Sequence, residues 1–166
     1  MITADLDRFV ARARACAPDF GPATARAAFL VTPEGFARAE ESAQDNRYMA
    51  AADNYHGEAA LAEHRALQRA LSADLPVFAF PGDPATPDAV FPNNVFAIAR
   101  PDAQVLPQAP PRLLVGRMRH AVRQAEAARA DIRGFFRDTA GAVEIDLSQQ
   151  PHPCELTGSL VIDRAR

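Results

Sequence analysis

Apolar positions along the chain fall into short runs separated by two longer periodic segments. Residues 28–32, Ala-Phe-Leu-Val-Thr, form a run of strand formers stopped by Pro33, and they predict the first strand. Ahead of them, residues 6–10 are weakly amphipathic and lead into Pro18, Gly21 and Pro22, a pattern of weak helix and then loop. Residues 34–57 carry few large aliphatics and many polar groups, including Asn46, Asp53, Asn54 and His56. They read as loop with a helical turn, suited to covering a site. Between residues 58 and 75, Leu61, Leu67 and Leu71 recur near one face while Glu63, Arg65 and Arg69 point elsewhere, which predicts a helix. Residues 76–80 then predict a buried strand, and Pro81-Gly82-Asp83-Pro84 a turn.

In the second half, Val90, Phe91, Val95, Phe96 and Ile98 predict buried strand around a polar insert. Four prolines within residues 100–111 predict an extended loop. Residues 112–116 predict a strand. Residues 118–138 form the clearest helical pattern: Met118, Val122, Ala125, Ile132 and Phe136 keep one face apolar, with Arg129 interrupting it. Arg123, Glu126, Arg133 and Arg137 are assigned to the polar surface, where Glu126 could pair with Arg129 or Arg133. Residues 142–147 and 159–162 predict two more strands, with loop over 149–153. The order strand, helix, strand, strand, strand, helix, strand, strand defines an α/β architecture. The last strand would leave an unpaired edge.

A length of 166 residues suits one domain or a piece of a larger one, and 48% hydrophobic residues can supply a core. A net charge of -3 argues against a general nucleic-acid binder, which shows a basic patch or stripe. All the basic residues are Arg, whose planar fork suits carboxylates. Arg8, Arg12 and Arg14 interrupt the N-terminal apolar positions, so neither a signal peptide nor a membrane helix is expected. Cys16 and Cys154 are far apart and form no Cys-x-x-Cys pair; a reducing cytoplasm is the simpler setting.

The chemistry concentrates in two stretches. Residues 86–97 carry Asp88, Asn93 and Asn94 inside an apolar run. A buried polar group without a partner costs roughly 1–3 kcal/mol, so this trio either bonds nearby backbone or faces a ligand. Residues 154–164 carry Glu155 just before the small-residue turn Thr157-Gly158-Ser159. Its carboxylate could cap backbone donors or hold a cation in a cleft, and Asp88 has the same two readings. Two such carboxylates could clamp a guanidinium, whose five donors suit carboxylate pairing. Gly82, Gly116 and Gly158 are isolated, so no phosphate loop or dinucleotide fingerprint is present, and there is no Gly-x-Ser-x-Gly elbow. His152, Cys154 and Glu155 are potential metal ligands without a second ligand pair, and no metal or other cofactor is expected. Cys154 reads as a loop or core thiol; pairing it with His152 would need special loop geometry.

Together, Thr86-Pro87-Asp88-Ala89-Val90-Phe91-Pro92-Asn93-Asn94 and Glu155-Leu156-Thr157-Gly158-Ser159-Leu160-Val161-Ile162-Asp163-Arg164 resemble the amidinotransferase and arginine-deiminase-related superfamily, whose members modify guanidino groups. Residues 28–33 are similar to its opening strand, and residues 116–124 to an amidinotransferase subgroup. The resemblance implies a pentein fold, an α/β propeller of ββαβ-like units, of which residues 26–166 would form the N-terminal half behind a lead segment of residues 1–25. It implies Cys-dependent hydrolysis or amidino transfer on a guanidino or ureido compound of the arginine or citrulline type. Glu155 would be the acidic catalytic residue, and Asp88, Asn93 and Asn94 would bind substrate. The family's catalytic His and nucleophilic Cys lie downstream of the Glu-x-Thr-Gly-Ser segment; His56, His64, His120, His152, Cys16 and Cys154 do not match them. The chain is therefore expected to be catalytically incomplete, a fragment that works with a complementary C-terminal half or as a homo-oligomer, or else a non-catalytic binding remnant. No nucleic-acid or membrane partner is expected.

Overall fold

The computed structural model describes residues 27–44, 56–99 and 108–160. The expected elements within residues 1–25, and most of the loop over 100–111, lie outside the described residues. Two small sheets form the frame. In the first, β1 (Ala28–Val31) runs parallel to β2 (Val77–Phe80), with Ala28 opposite Val77 and Val31 opposite Phe80. Parallel neighbours need a long crossover, and the helix α2 (Gly57–Ser72) lies within it. A short helical turn, α1 (Glu40–Ala43), precedes α2.

The second sheet has the order β3-β4-β5. β3 (Phe96–Ala99) and β4 (Arg112–Val115) are antiparallel, with Phe96 opposite Val115. β4 and β5 (Val143–Asp146) are parallel, with Arg112 opposite Val143. The crossover between them carries α3 (Ala121–Ala127) and α4 (Ala130–Gly134). A single turn, α5 (Leu156–Ser159), ends the described chain.

The core joins the two sheets. Val31, Val95, Leu113, Val115, Met118 and Ile132 are at most 1% exposed. Each such side chain contributes roughly 1.5–3 kcal/mol by leaving water. Phenylalanines extend this core between the sheets: Phe29 meets Phe136 at 5.1 Å between ring centroids, and Phe135 meets Phe80 at 5.6 Å and Phe78 at 4.9 Å.

Three elements differ from the sequence expectation. The run from Val90 to Ile98 is strand only from Phe96; before it, two 3-10 turns occupy Pro87–Val90 and Pro92–Asn94. Pro at the first position of each turn supplies the fixed φ that starts it. Phe91, between them, is 48% exposed rather than buried.

The expected long helix over 118–138 is broken. Arg129 sits at φ -58° and ψ 97°, outside helical values, and its guanidinium reaches Pro81 O at 2.9 Å and the Asp131 carboxylate. Tertiary and local hydrogen bonds to this one side chain replace the helical backbone path. Residues Phe135–Thr139 then widen into a π turn, where Phe135 and Phe136 enter different parts of the ring cluster.

The expected strand over 159–162 begins instead as the turn α5; residues 161–166 lie outside the described residues. The amides of Gly158 and Ser159 both donate to Glu155 O, at 3.1 and 3.0 Å.

The helix over 58–75 does form, but none of its residues is fully buried among the described residues, and Leu67 is 47% exposed. On β5, Val143 and Ile145 share one face and are likewise exposed. No helix among the described residues is long and apolar enough to cross a membrane.

Candidate functional site

A groove of about 810 Å³ opens where the two 3-10 turns, α3 and the α5 segment converge. Asp88, Asn94 and Glu155, three of the four residues singled out by the motifs, border it; Asn93 does not. Phe36 and Ser42 border it too, so part of the polar 34–44 segment does flank the groove. That segment is tied down where Glu41 Oε2 accepts the Val122 N–H at 3.2 Å, at the start of α3. A carboxylate near a helix N-terminus satisfies an amide that has no partner within the helix.

Asp88 is held in place by backbone on both sides. Ala89 N–H donates to Thr86 O at 2.9 Å, and Phe91 N–H donates to Asp88 O at 2.9 Å. The residue is only 3% exposed, yet Oδ1 has no hydrogen-bond partner among the described residues. Its Oδ2 lies 3.9 Å from Arg123 Nε, close enough for attraction and too far for a hydrogen bond.

Arg123, which also borders the groove, and Glu126 are buried at 6% and 2% exposure, a correction to their expected place on the polar surface. Arg123 Nε and Nη2 donate to the two Glu126 oxygens at 2.9 and 3.0 Å. Nη2 also reaches Asp88 O and Phe91 O, both at 3.3 Å, fastening the pair of turns to α3. Burial pushes the Glu126 carboxyl above its ordinary 4.5, against the hydrogen bond and charge of Arg123; the Asp88 and Glu155 charges push the same way as burial. Spacing of i and i+3 on one helix was the signal for this pair, and it was readable; its burial was not.

The two motif segments meet directly. Asn93 Nδ2 donates to Thr157 Oγ1 at 2.9 Å, and the Thr157 hydroxyl donates to Asn94 Oδ1. One hydroxyl thus braces both asparagines, satisfying part of the polar trio internally. Glu155 Oε1 accepts the Arg119 N–H at 3.1 Å, so the backbone-capping and cleft-facing readings of this carboxylate coexist.

The Glu155 segment can lie this close because Gly116 has no side chain. A Cβ there would stand 2.5 Å from Cys154 O, and the Cys154 N–H donates to Arg117 O at 2.7 Å. Neither Cys154 nor His152 borders the groove, whereas His120 does. Among the described residues no group of three His, Cys, Asp or Glu side chains is arranged to hold a metal ion.

This mixed α/β fold is of pentein type by lineage. Residues 32–166 match the model of the eukaryotic N,N dimethylarginine dimethylhydrolase family, and the chain belongs to that family. Among solved structures, it is similar to the binary complex of a cysteine-to-alanine mutant of AgrE with L-arginine, at a TM-score of 0.57 and 16% identity. At that identity the likeness concerns the fold alone. The match covers 80% of this chain and 17% of the AgrE chain. No curated protein matches the chain.

Proposed function

We propose that this chain forms the substrate-holding part of an enzyme that acts on a guanidino or ureido compound of the arginine or citrulline type. The observation that carries this reading is the Asp88 carboxylate: buried, bordering the groove, and with Oδ1 unpartnered. A guanidinium or ureido N–H is the donor such an oxygen lacks. Glu155 and Asn94 border the same groove, and Asn93 acts through Thr157 to fix Asn94. In this reading Glu155 is the acidic catalytic residue, and Asp88, Asn93 and Asn94 are the substrate-binding set. Membership of a dimethylarginine dimethylhydrolase family and the fold shared with an arginine-bound structure support the choice of substrate class.

Residues 26–166 serve as one part of a pentein propeller, with residues 1–25 as its lead. A nucleophilic Cys and a His acid–base, supplied by a complementary C-terminal segment, would complete hydrolysis or amidino transfer. The exposed apolar face of β5 suits such a neighbour. The thiolate would attack the guanidino or ureido carbon and displace an amine that takes its proton from the His; water or an acceptor amine would then release the carbon from sulfur, while Glu155 and Asp88 hold the substrate's nitrogens. The same proposal sets the chain in a reducing cytoplasm, the simpler setting for two cysteines far apart in sequence.

Isothermal titration of the purified chain with L-arginine and L-citrulline tests the reading. Binding of at least one, weakened about tenfold or more by Asp88→Asn and reduced by Glu155→Gln, is the expected result. Binding that neither substitution alters would overturn the site assignment. Turnover by the chain alone would remove the need for an outside Cys and His.

A further inference from the structure

Three ionisable side chains lie together at the groove: Asp88 and Arg123, which border it, and Glu126 behind them, each at most 6% exposed. Two carboxylates and one guanidinium leave one negative charge in excess. The guanidinium does not divide itself evenly. Its Nε and Nη2 face Glu126 at 2.9 and 3.0 Å, and its other hydrogen bonds among the described residues go to backbone carbonyls. Toward the Asp88 carboxylate it comes only to 3.9 Å. The unpaired oxygen is therefore on Asp88, the member of the cluster that borders the groove as an acceptor.

We propose that Glu126 is a positioning residue for ligand binding: by occupying the Arg123 fork, it keeps the Asp88 carboxylate free for the N–H groups of a substrate. This inference rests on the reading of Asp88 as a substrate-binding residue and adds a cause for its availability. Two planar groups meeting edge to edge satisfy each other's directional bonds. With that partner in place, Arg123 has no reason to turn to Asp88. Without the Glu126 charge, the nearest anion to Arg123 is Asp88 itself, and the internal cation would compete with the ligand for the same oxygen. Glu155, the third carboxylate of this region, whose charge reaches Glu126, is bonded to the Arg119 amide rather than to Arg123.

A purely structural ion pair makes a different prediction, and a double-mutant comparison separates the two. The full chain is titrated with L-arginine as wild type, Glu126→Gln, and the double variant Arg123→Gln with Glu126→Gln. The single variant is expected to bind about tenfold more weakly, and the double variant to return to within about threefold of wild type, because the competing cation is gone. Equal binding by Glu126→Gln, or a folded double variant no tighter than the single one, overturns the proposal. Should Glu126→Gln fail to fold, the double variant is compared with wild type: near-equal binding supports the proposal and loss overturns it.

If wild type binds neither L-arginine nor L-citrulline, the substrate reading above fails. The crystal structure of Glu126→Gln then decides this inference separately. Movement of Arg123 Nε from 3.9 Å to hydrogen-bond contact with Asp88, about 3 Å, supports it. An unchanged separation overturns it.

Discussion

Arg123 on α3 and Arg133 on α4 each meet two carboxylates, and they end in opposite conditions. Arg133 binds Glu144 through Nε at 3.0 Å and through Nη2, reaches Asp146 Oδ2 at 2.6 Å, and gives Nη1 to Ala127 O at 3.1 Å. Its partners are a fifth to a third exposed, so water completes whatever the protein leaves unbonded. The Glu144 and Asp146 bonds hold Arg133 more firmly protonated. Arg123 is bonded through Nε and Nη2 to Glu126 and two backbone carbonyls, yet one oxygen of its neighbour Asp88 is buried without a partner among the described residues. Residue composition is the same in both clusters. Burial and incomplete pairing distinguish them, and they mark the one that borders the groove.

The largest expected effect comes from removing the buried cation. Arg123→Leu would strand Asp88 and Glu126 together in the interior and cost about 3–5 kcal/mol of stability, read from chemical denaturation. A loss below about 1 kcal/mol would mean that water reaches both carboxylates, and the contrast between the clusters would collapse. Arg133→Ala is expected to cost about 1 kcal/mol or less, with the difference shrinking as salt is raised. A larger, salt-insensitive loss would give this cluster a structural weight its exposure does not support.

The smallest effect is one of sign along the pH axis. Glu126 is raised above 4.5, so the folded protein holds that proton more tightly than the unfolded chain. Its contribution therefore improves as pH falls through the raised value toward 4.5. At Asp146, burial pushes the carboxyl up, but hydrogen bonds from Ser148 and Arg133 outweigh it and leave it below 3.8. Its contribution is present above 3.8 and is lost as pH falls below it. Denaturation profiles of wild type and Glu126→Gln from neutral to acid pH would show the first trend as wild type gaining on the variant. The opposite slope would contradict the burial assigned to Glu126.

How far the structure was legible varied from residue to residue. The strands at 28–31, 77–80, 112–115 and 143–146 stood out because compact apolar runs ended in Pro, Gly or polar turns. The turns at Pro87–Val90 and Pro92–Asn94 were hidden inside an apolar run, although both prolines were visible. The break at Arg129 was visible only as a charge on an apolar face; its guanidinium bonds a carbonyl 48 residues earlier in the chain, which no local pattern reveals. The expected pairing of Glu126 with Arg129 or Arg133 was overturned, since Arg129 binds Asp131, Arg133 binds Glu144 and Asp146, and Glu126 takes Arg123.

By itself, the amino-acid order determined which chemistry is present: acceptor groups at Asp88 and Glu155, amides at Asn93 and Asn94, and the apolar runs that form the sheets. These are local properties of residue type and period. Only the tertiary structure decided that residues 88 and 155 border one groove, that Thr157 joins the two asparagines, and that an apparent surface pair beneath them is buried. Each of those facts depends on contacts between segments far apart in the chain, and hydrogen-bond satisfaction in the interior is settled only when those segments pack.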